Sequence, residues 1–164
     1  MFKQYQHIER FGTDEVENIE LGKCYIFPKI DGTNASIWSI DGKIQAGSRK
    51  RHLSLENDNA GFLEWVKKQD NIEDFFNDYP NHRLYGEWLV PHSLKTYREN
   101  AWRNFYVFDV VHEKDEGDEH LKYEDYKSIM EKYSIEYIPP ITIIENANYD
   151  QLINQLKKNT YLRS

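Results

Sequence analysis

The sequence of 164 residues predicts an α+β domain with a mostly antiparallel sheet and flanking helices. Three observations lead there. Short runs rich in β-branched and aromatic residues recur along the chain, bounded by turn residues. Two of them flank Asp41-Gly42, a pair that tolerates positive φ at both positions and so closes a two-residue hairpin. Apolar residues at helical spacing appear in short stretches scattered among these runs, which argues for a mixed sheet-and-helix domain.

Residues 24–29 read as a strand, and 35–40 and 43–46 as the arms of the hairpin. Residues 59–69 carry Phe62, Trp65 and Val66 at helical spacing, and a second short helix over 72–77 ends before Pro80. Residues 83–90 and 104–111 read as strands, the latter apolar enough to be buried on both faces. Residues 112–120 form an acidic, glycine-containing stretch expected to be a solvated, mobile loop. An amphipathic helix over 123–133 puts Tyr126, Ile129, Met130 and Tyr133 on one side. Pro139-Pro140 breaks the chain before a strand over 141–144, and a last helix over 149–158 carries Leu152, Ile153 and Leu156. With no internal repeat, low-complexity tract or linker, residues 1–164 are expected to form one domain.

Composition narrows the function. Hydrophobic residues make up 39% and charged residues 30%, as in a globular chain rather than a disordered one. The net charge of −7 argues against extensive tracking of phosphates, which usually needs a basic surface; a small anionic substrate at a locally basic site fits. No apolar run approaches the ~18 residues of a membrane span. The N-terminus lacks the apolar core of a signal peptide, so a cytoplasmic location is expected. The single cysteine, Cys24, excludes an internal disulfide and a cysteine-rich zinc site. Aromatic residues reach 15%, with 12 Tyr, which suits base stacking or, more commonly, a packed β core.

Chemistry centres on Lys29. On a strand, residues i and i+2 face the same way, so Lys29 and Asp31 are expected to share a face with Ile30 pointing to the core. Gly32 allows a turn or the close approach of a ligand, and Thr33 and Asn34 offer short hydrogen-bonding side chains. A lysine in this setting is either a surface residue paired with Asp31 or a nucleophile whose neutral amine is favoured by burial or nearby cations. Three further segments bear on the choice. Ser48-Arg49-Lys50-Arg51 ends the hairpin in a basic cluster. Tyr85-Gly86-Glu87-Trp88 and Phe105-Tyr106-Val107-Phe108-Asp109 each set a carboxylate in an apolar strand, and such a carboxylate needs partners or a cleft.

Taken together, these segments resemble the N-terminal part of the nucleotidyltransferase domain of the covalent nucleotidyltransferases, the ATP-dependent RNA and DNA ligases and mRNA capping enzymes. The resemblance is nearest to the RNA ligase 2 family. Lys29-Ile30-Asp31-Gly32-Thr33-Asn34 is similar to its first motif, K-x-D/H-G-T-N. Ser48-Arg49 is similar to the arginine motif after the first hairpin, Tyr85-Gly86-Glu87-Trp88 to the G-E motif, and the segment ending in Phe108-Asp109 to F-x-F-D. It covers residues 23–111 clearly and the remainder weakly.

The resemblance implies a ligase-type nucleotidyltransferase (ATP-grasp-like) fold, with ATP and Mg²⁺ as cofactors. Lys29 would be the catalytic nucleophile that takes AMP. Ile30, Asp31, Asn34, Arg49, Glu87, Phe108 and Asp109 would bind the nucleotide: Arg49 on phosphate or ribose, Glu87 on the ribose hydroxyls, Phe108 stacked on the adenine, and Asp109 supporting the nucleotide or metal site. The metal ligands themselves stay unassigned. RNA ends or nicked RNA would be the partner, with Arg49, Lys50 and Arg51 as its contacts. The family's two later motifs, E-G-(I/V)-(V/I)-(I/L)-K and K-x-K, do not occur in the sequence. An incomplete C-terminal side, weak or absent complete ligation and dimerisation through an open sheet edge are therefore expected. The alternative is a catalytically degenerate module that holds a nucleotide or an RNA end, and a guanylyltransferase of the capping type is a third reading.

Overall fold

The computed structural model describes residues 1–91 and 97–155. Two sheets organise them. Strands β2 (Thr33–Ile40), β3 (Lys43–Ser48), β4 (His82–Leu89), β5 (Asn104–His112) and β6 (Glu119–His120) form an antiparallel sheet in the order β3-β2-β4-β5-β6. Strands β1 (Lys23–Ile26) and β7 (Thr142–Glu145) pair antiparallel in a small second sheet. The helices are α1 (Phe62–Val66), α2 (Asp70–Asp78), α3 (Tyr123–Lys132) and α4 (Tyr149–Gln155). Among the described residues no helix is long and apolar enough to cross a membrane.

The hairpin forms as its turn requires: Asp41 (φ 51°) and Gly42 (φ 72°) both lie in the left-handed region, and Ile40 pairs with Lys43. Alternation along the strands then gives the five-stranded sheet two unlike faces. Ala35, Ile37, Leu84, Trp88, Phe105, Val107 and Val110 line one face and pack against Phe62, Leu63, Phe75, Phe76, Tyr126 and Met130 from the helices. Asn34, Ser36, Tyr85, Glu87 and Tyr106 line the other, facing one another across the ladder. A smaller core of Ile30, Leu89, Tyr97, Ala101, Tyr106 and Ile138 closes one end of that second face.

Several elements depart from the sequence expectations. Strand β1 stops at Ile26, so Lys29 lies beyond it in extended chain that still alternates, with Pro28 and Ile30 buried and Lys29 and Asp31 exposed. The helix expected over 59–69 is confined to Phe62–Val66, because Ala60 (φ 51°) and Gly61 (φ 77°) hold a left-handed turn before it. The acidic stretch 112–120 is not all loop: Glu119 and His120 pair with β5 as β6, and Lys3 holds Asp118 at 2.8 Å. Leu156 and the last turn of the helix expected over 149–158 lie outside the described residues.

Candidate active site

The site is assembled on the polar face of the large sheet, where the chain leaving β1 crosses β2 and β4. Asn34 stands opposite Glu87 in the β2–β4 ladder, and Tyr106 stands opposite Glu87 on its other side. The Gly32 N–H donates to Glu87 Oε1 at 3.2 Å, tying the turn after Lys29 to β4. The Asp31 N–H donates to the Tyr97 hydroxyl at 2.7 Å. Gly32 has no room for a side chain: a Cβ there would lie 2.6 Å from the Trp88 carbonyl oxygen and 3.1 Å from Glu87 Cγ.

Glu87 reports the electrostatics of this corner. Burial raises its carboxyl from 4.5 to about 6; the Gly32 N–H, Lys29 and Arg49 pull it down and Asp31 pushes it up. The charges of Lys29, Asp31 and Arg49 therefore all act on one half-buried carboxylate. Lys29 is exposed and has no ion pair with a described residue. Arg49 and Lys50 are exposed at the tip of a tight turn, where the Ser48 N–H donates to the Arg51 carbonyl at 2.9 Å. Arg51 is occupied differently. Its guanidinium donates to the Asn57 and Asp58 carbonyls, the latter at 3.0 Å.

Phe108 and Asp109 lie one step along the same face, and they reach it through a β-bulge. Tyr85 pairs with Asp109 but Gly86 pairs with Val107, so Phe108 is the extra residue on β5. Strict alternation from Tyr106 would send Asp109 into the hydrophobic core; the bulge turns it back to the polar face. There Asp109 is 8% exposed and accepts from the Tyr5 hydroxyl at 2.9 Å, with His120 Nδ1 at 2.6 Å. Gly86 allows this: a Cβ on it would lie 2.5 Å from the Tyr106 carbonyl oxygen and from the Phe105 ring. Among the described residues no group of three or more His, Cys, Asp or Glu forms a metal cage.

Several residues of this face were not foreseen from the sequence. The N-terminal strap runs across it, with the Tyr5 ring 4.9 Å from Tyr85 and 5.0 Å from Phe108. The Met1 carbonyl accepts from Arg83 Nη2 at 2.7 Å. Burial and the Asp109 charge raise the Tyr5 hydroxyl well above its usual range. Tyr85 could have been found, since it lies two residues before Glu87 and period two puts both on one face. Tyr5 and His120 carry no periodic signal.

Comparison with solved structures supports the fold. An archaeal ATP-dependent RNA ligase matches with a TM-score of 0.70 at 15% identity, over 88% of this chain and 38% of that one. A mutant of Naegleria gruberi RNA ligase with ATP and manganese matches with a TM-score of 0.66 at 17% identity, over 90% of this chain and 45% of that one. The Naegleria gruberi enzyme with pyrophosphate matches with a TM-score of 0.61 at 17% identity, over 82% and 40%. At these identities the likeness is one of fold, and the chain spans less than half the length of each of these ligases. No curated protein sequence matches the chain. A sequence model of the RNA ligase family does match, over residues 22–160, which take in the corner around Glu87 and the bulge at Phe108; the chain belongs to the RNA ligase family.

Proposed function

We propose that this chain is the adenylate-accepting part of an ATP-dependent RNA ligase, with Lys29 as its nucleophile. What supports the reading is that the charges of Lys29, Asp31 and Arg49 all act on Glu87, in a chain of this family. The neutral Lys29 amine attacks the α-phosphorus of ATP. A P–N bond forms, the bond to the bridging oxygen breaks, pyrophosphate leaves with its electron pair, and the nitrogen gives up its proton. The product is lysyl-AMP; an RNA 5′-phosphate oxygen then attacks its phosphorus, the P–N bond breaks, the lysine nitrogen takes back a proton, and AMP is left on the RNA end.

Each neighbour has a role suited to its chemistry. The rigid donor fork of Arg49 suits phosphate oxygens. Glu87 accepts from the ribose hydroxyls, since a carboxylate beside phosphate would be repelled. Ile30 and Asn34 shape the pocket, and Phe108 stacks on the base, worth ~1–3 kcal/mol. Asp109 keeps that edge of the pocket in place through Tyr5 and His120. Asp31 is an exposed carboxylate beside Lys29 and would be the nearby oxygen donor for Mg²⁺. When bound, Mg²⁺ supplies neutralisation of the phosphate charge. Arg49 and Lys50 present the exposed cations for RNA ends, and Arg51 braces them from behind.

Lacking K-x-K, the chain has fewer cations to favour the neutral Lys29 amine, so adenylation is slow and complete ligation by this chain alone weak or absent. Pairing of two copies through an incomplete sheet edge and a cytoplasmic location belong to the same proposal; a monomeric mass by light scattering would remove the pairing. The test is incubation with α-labelled ATP or GTP and Mg²⁺, with Lys29→Ala as control. Label from ATP alone, lost in the variant, is expected. Label from GTP alone points to capping chemistry. Nucleotide binding without covalent label would leave the degenerate binding module in its place.

A further inference from the structure

We infer that Asn59 is a positioning residue that locks the Arg49 arm to the nucleophile motif; the inference rests on the function proposed above. Asn59 Nδ2 donates to Thr33 Oγ1 at 2.7 Å. Thr33 opens β2, directly after Gly32, and stands opposite Trp88, next to Glu87. Among the described residues this is the one hydrogen bond between side chains that joins the 49–60 segment to Lys29-Ile30-Asp31-Gly32-Thr33-Asn34.

An asparagine just before a helix usually turns its side chain to the helix's own N–H groups. Here Asp58 does that work: its carboxylate accepts from the N–H groups of Asn59 at 2.6 Å, Leu63 at 2.9 Å and Glu64 at 3.2 Å. The Asn59 amide is thereby released from local capping and reaches across to another strand. The segment behind it is braced end to end. The Arg51 guanidinium grips the Asn57 and Asp58 carbonyls, the Leu53 N–H donates to Ala46 O at 2.9 Å, and Trp88 Nε1 donates to the Ala60 carbonyl at 3.2 Å.

The consequence is mechanical. The Ala35–Ser48 rung of the β2–β3 ladder ties the turn that carries Arg49 and Lys50 to the end of the Lys29–Asn34 motif, and Asn59 adds a side-chain tie from the Asp58 bracket to Thr33, so that the three form one connected body. A phosphate-binding cation and a nucleophile must be held together to within a fraction of an ångström for an in-line displacement, and a small misplacement costs rate more than binding. Asn59 bonds to Thr33 rather than to Lys29; with the β2–β3 ladder it holds the spacing of the groups proposed to do the chemistry.

The experiment uses the full chain with Asn59→Ala, Thr33→Val and the double variant, and Thr33→Ser as the conservative control. Lys29-linked label from ATP is followed in time at several ATP concentrations, with amide hydrogen exchange across residues 29–34 and 48–60. Asn59→Ala is expected to slow labelling roughly tenfold at saturating ATP, with the half-saturating ATP concentration little changed and Thr33→Ser near wild type. The double variant is expected to be no slower than either single one, and exchange at residues 32–34 to quicken while the melting temperature holds. Wild-type labelling and exchange in Asn59→Ala, or single effects that multiply in the double variant, overturns the inference. If the wild-type chain takes no label, the proposed function fails by itself, and the exchange data alone decide the joint: quickening at 32–34 upholds it, unchanged exchange refutes it.

Discussion

Replacing Glu87 with glutamine should stabilise the fold in a pH-dependent way while weakening the site. Its carboxyl titrates at about 6 in the fold against 4.5 in the unfolded chain, chiefly because burial penalises the charged form. The sign follows directly. Below pH 4.5 the group is protonated in both states and carries no penalty. Between 4.5 and about 6 the folded state holds a proton that the unfolded state has lost, so stability falls as pH rises, and above 6 the penalty is complete. The gap, at about 1.4 kcal/mol per pH unit, is about 2 kcal/mol. Glutamine has the same shape, keeps an acceptor for the Gly32 N–H and carries no charge. Glu87→Gln should therefore match wild type near pH 4.5 and exceed it by up to about 2 kcal/mol near pH 8, about 4–8 °C in melting temperature for a domain of this size. Urea titrations of both proteins from pH 4.5 to 8 measure this. A difference that stays flat across that range would refute the burial argument. Under the proposed function the same variant should bind ATP more weakly, because a ribose acceptor at this position would lose its charge.

Other outcomes follow from the same contacts. His82, stacked on His112 at 4.5 Å, is pushed down to about 4 by burial and then by the His112 charge. Its neutral form is favoured in the fold, so its contribution is intact above pH 6.5 and declines as pH falls toward 4, by about 1–2 kcal/mol after allowance for partial solvent screening; His82→Gln should remove that slope, which runs opposite to that of Glu87. Gly32→Ala should cost about 1–3 kcal/mol by overpacking and abolish Lys29 labelling, because its Cβ meets the Trp88 carbonyl at 2.6 Å; near-normal labelling would contradict the tight crossing. Arg83, fully buried over the Trp38 ring at 4.3 Å, holds Met1 and Glu113. Arg83→Met should lose about 2–3 kcal/mol and speed tryptic cleavage at Lys3 and Arg10, and an unchanged cleavage rate would show that the strap is held by other contacts.

The hairpin at Asp41-Gly42 and the long strands β4 and β5 were legible because each is a local pattern of two-residue period or turn chemistry. The corner around Glu87 was legible too, since a carboxylate within an apolar strand must find partners. What the sequence hid depends on long-range geometry. No periodicity tells that a bulge at Phe108 rotates Asp109 out of the core, and only the pairing of Tyr85 with Asp109 reveals it. The helix expected to start at residue 59 is delayed by a left-handed Ala60, a conformation that alanine does not announce. The Tyr5 and Met1 contacts come from a segment without regular structure, fixed by partners about 80 to 100 residues away. Arg51 looks like its neighbours Arg49 and Lys50 in the sequence, yet the fold turns it inward as a brace.

The position of a covalent adenylate decides whether Lys29 is the nucleophile. The full chain is incubated with ATP and Mg²⁺, digested and mapped by mass spectrometry, and the adduct is then challenged with pyrophosphate. AMP is expected on the peptide containing Lys29, linked through its ε-nitrogen and removed by pyrophosphate with recovery of ATP. AMP on another residue, or none on any peptide while ATP still binds, would contradict that role for Lys29.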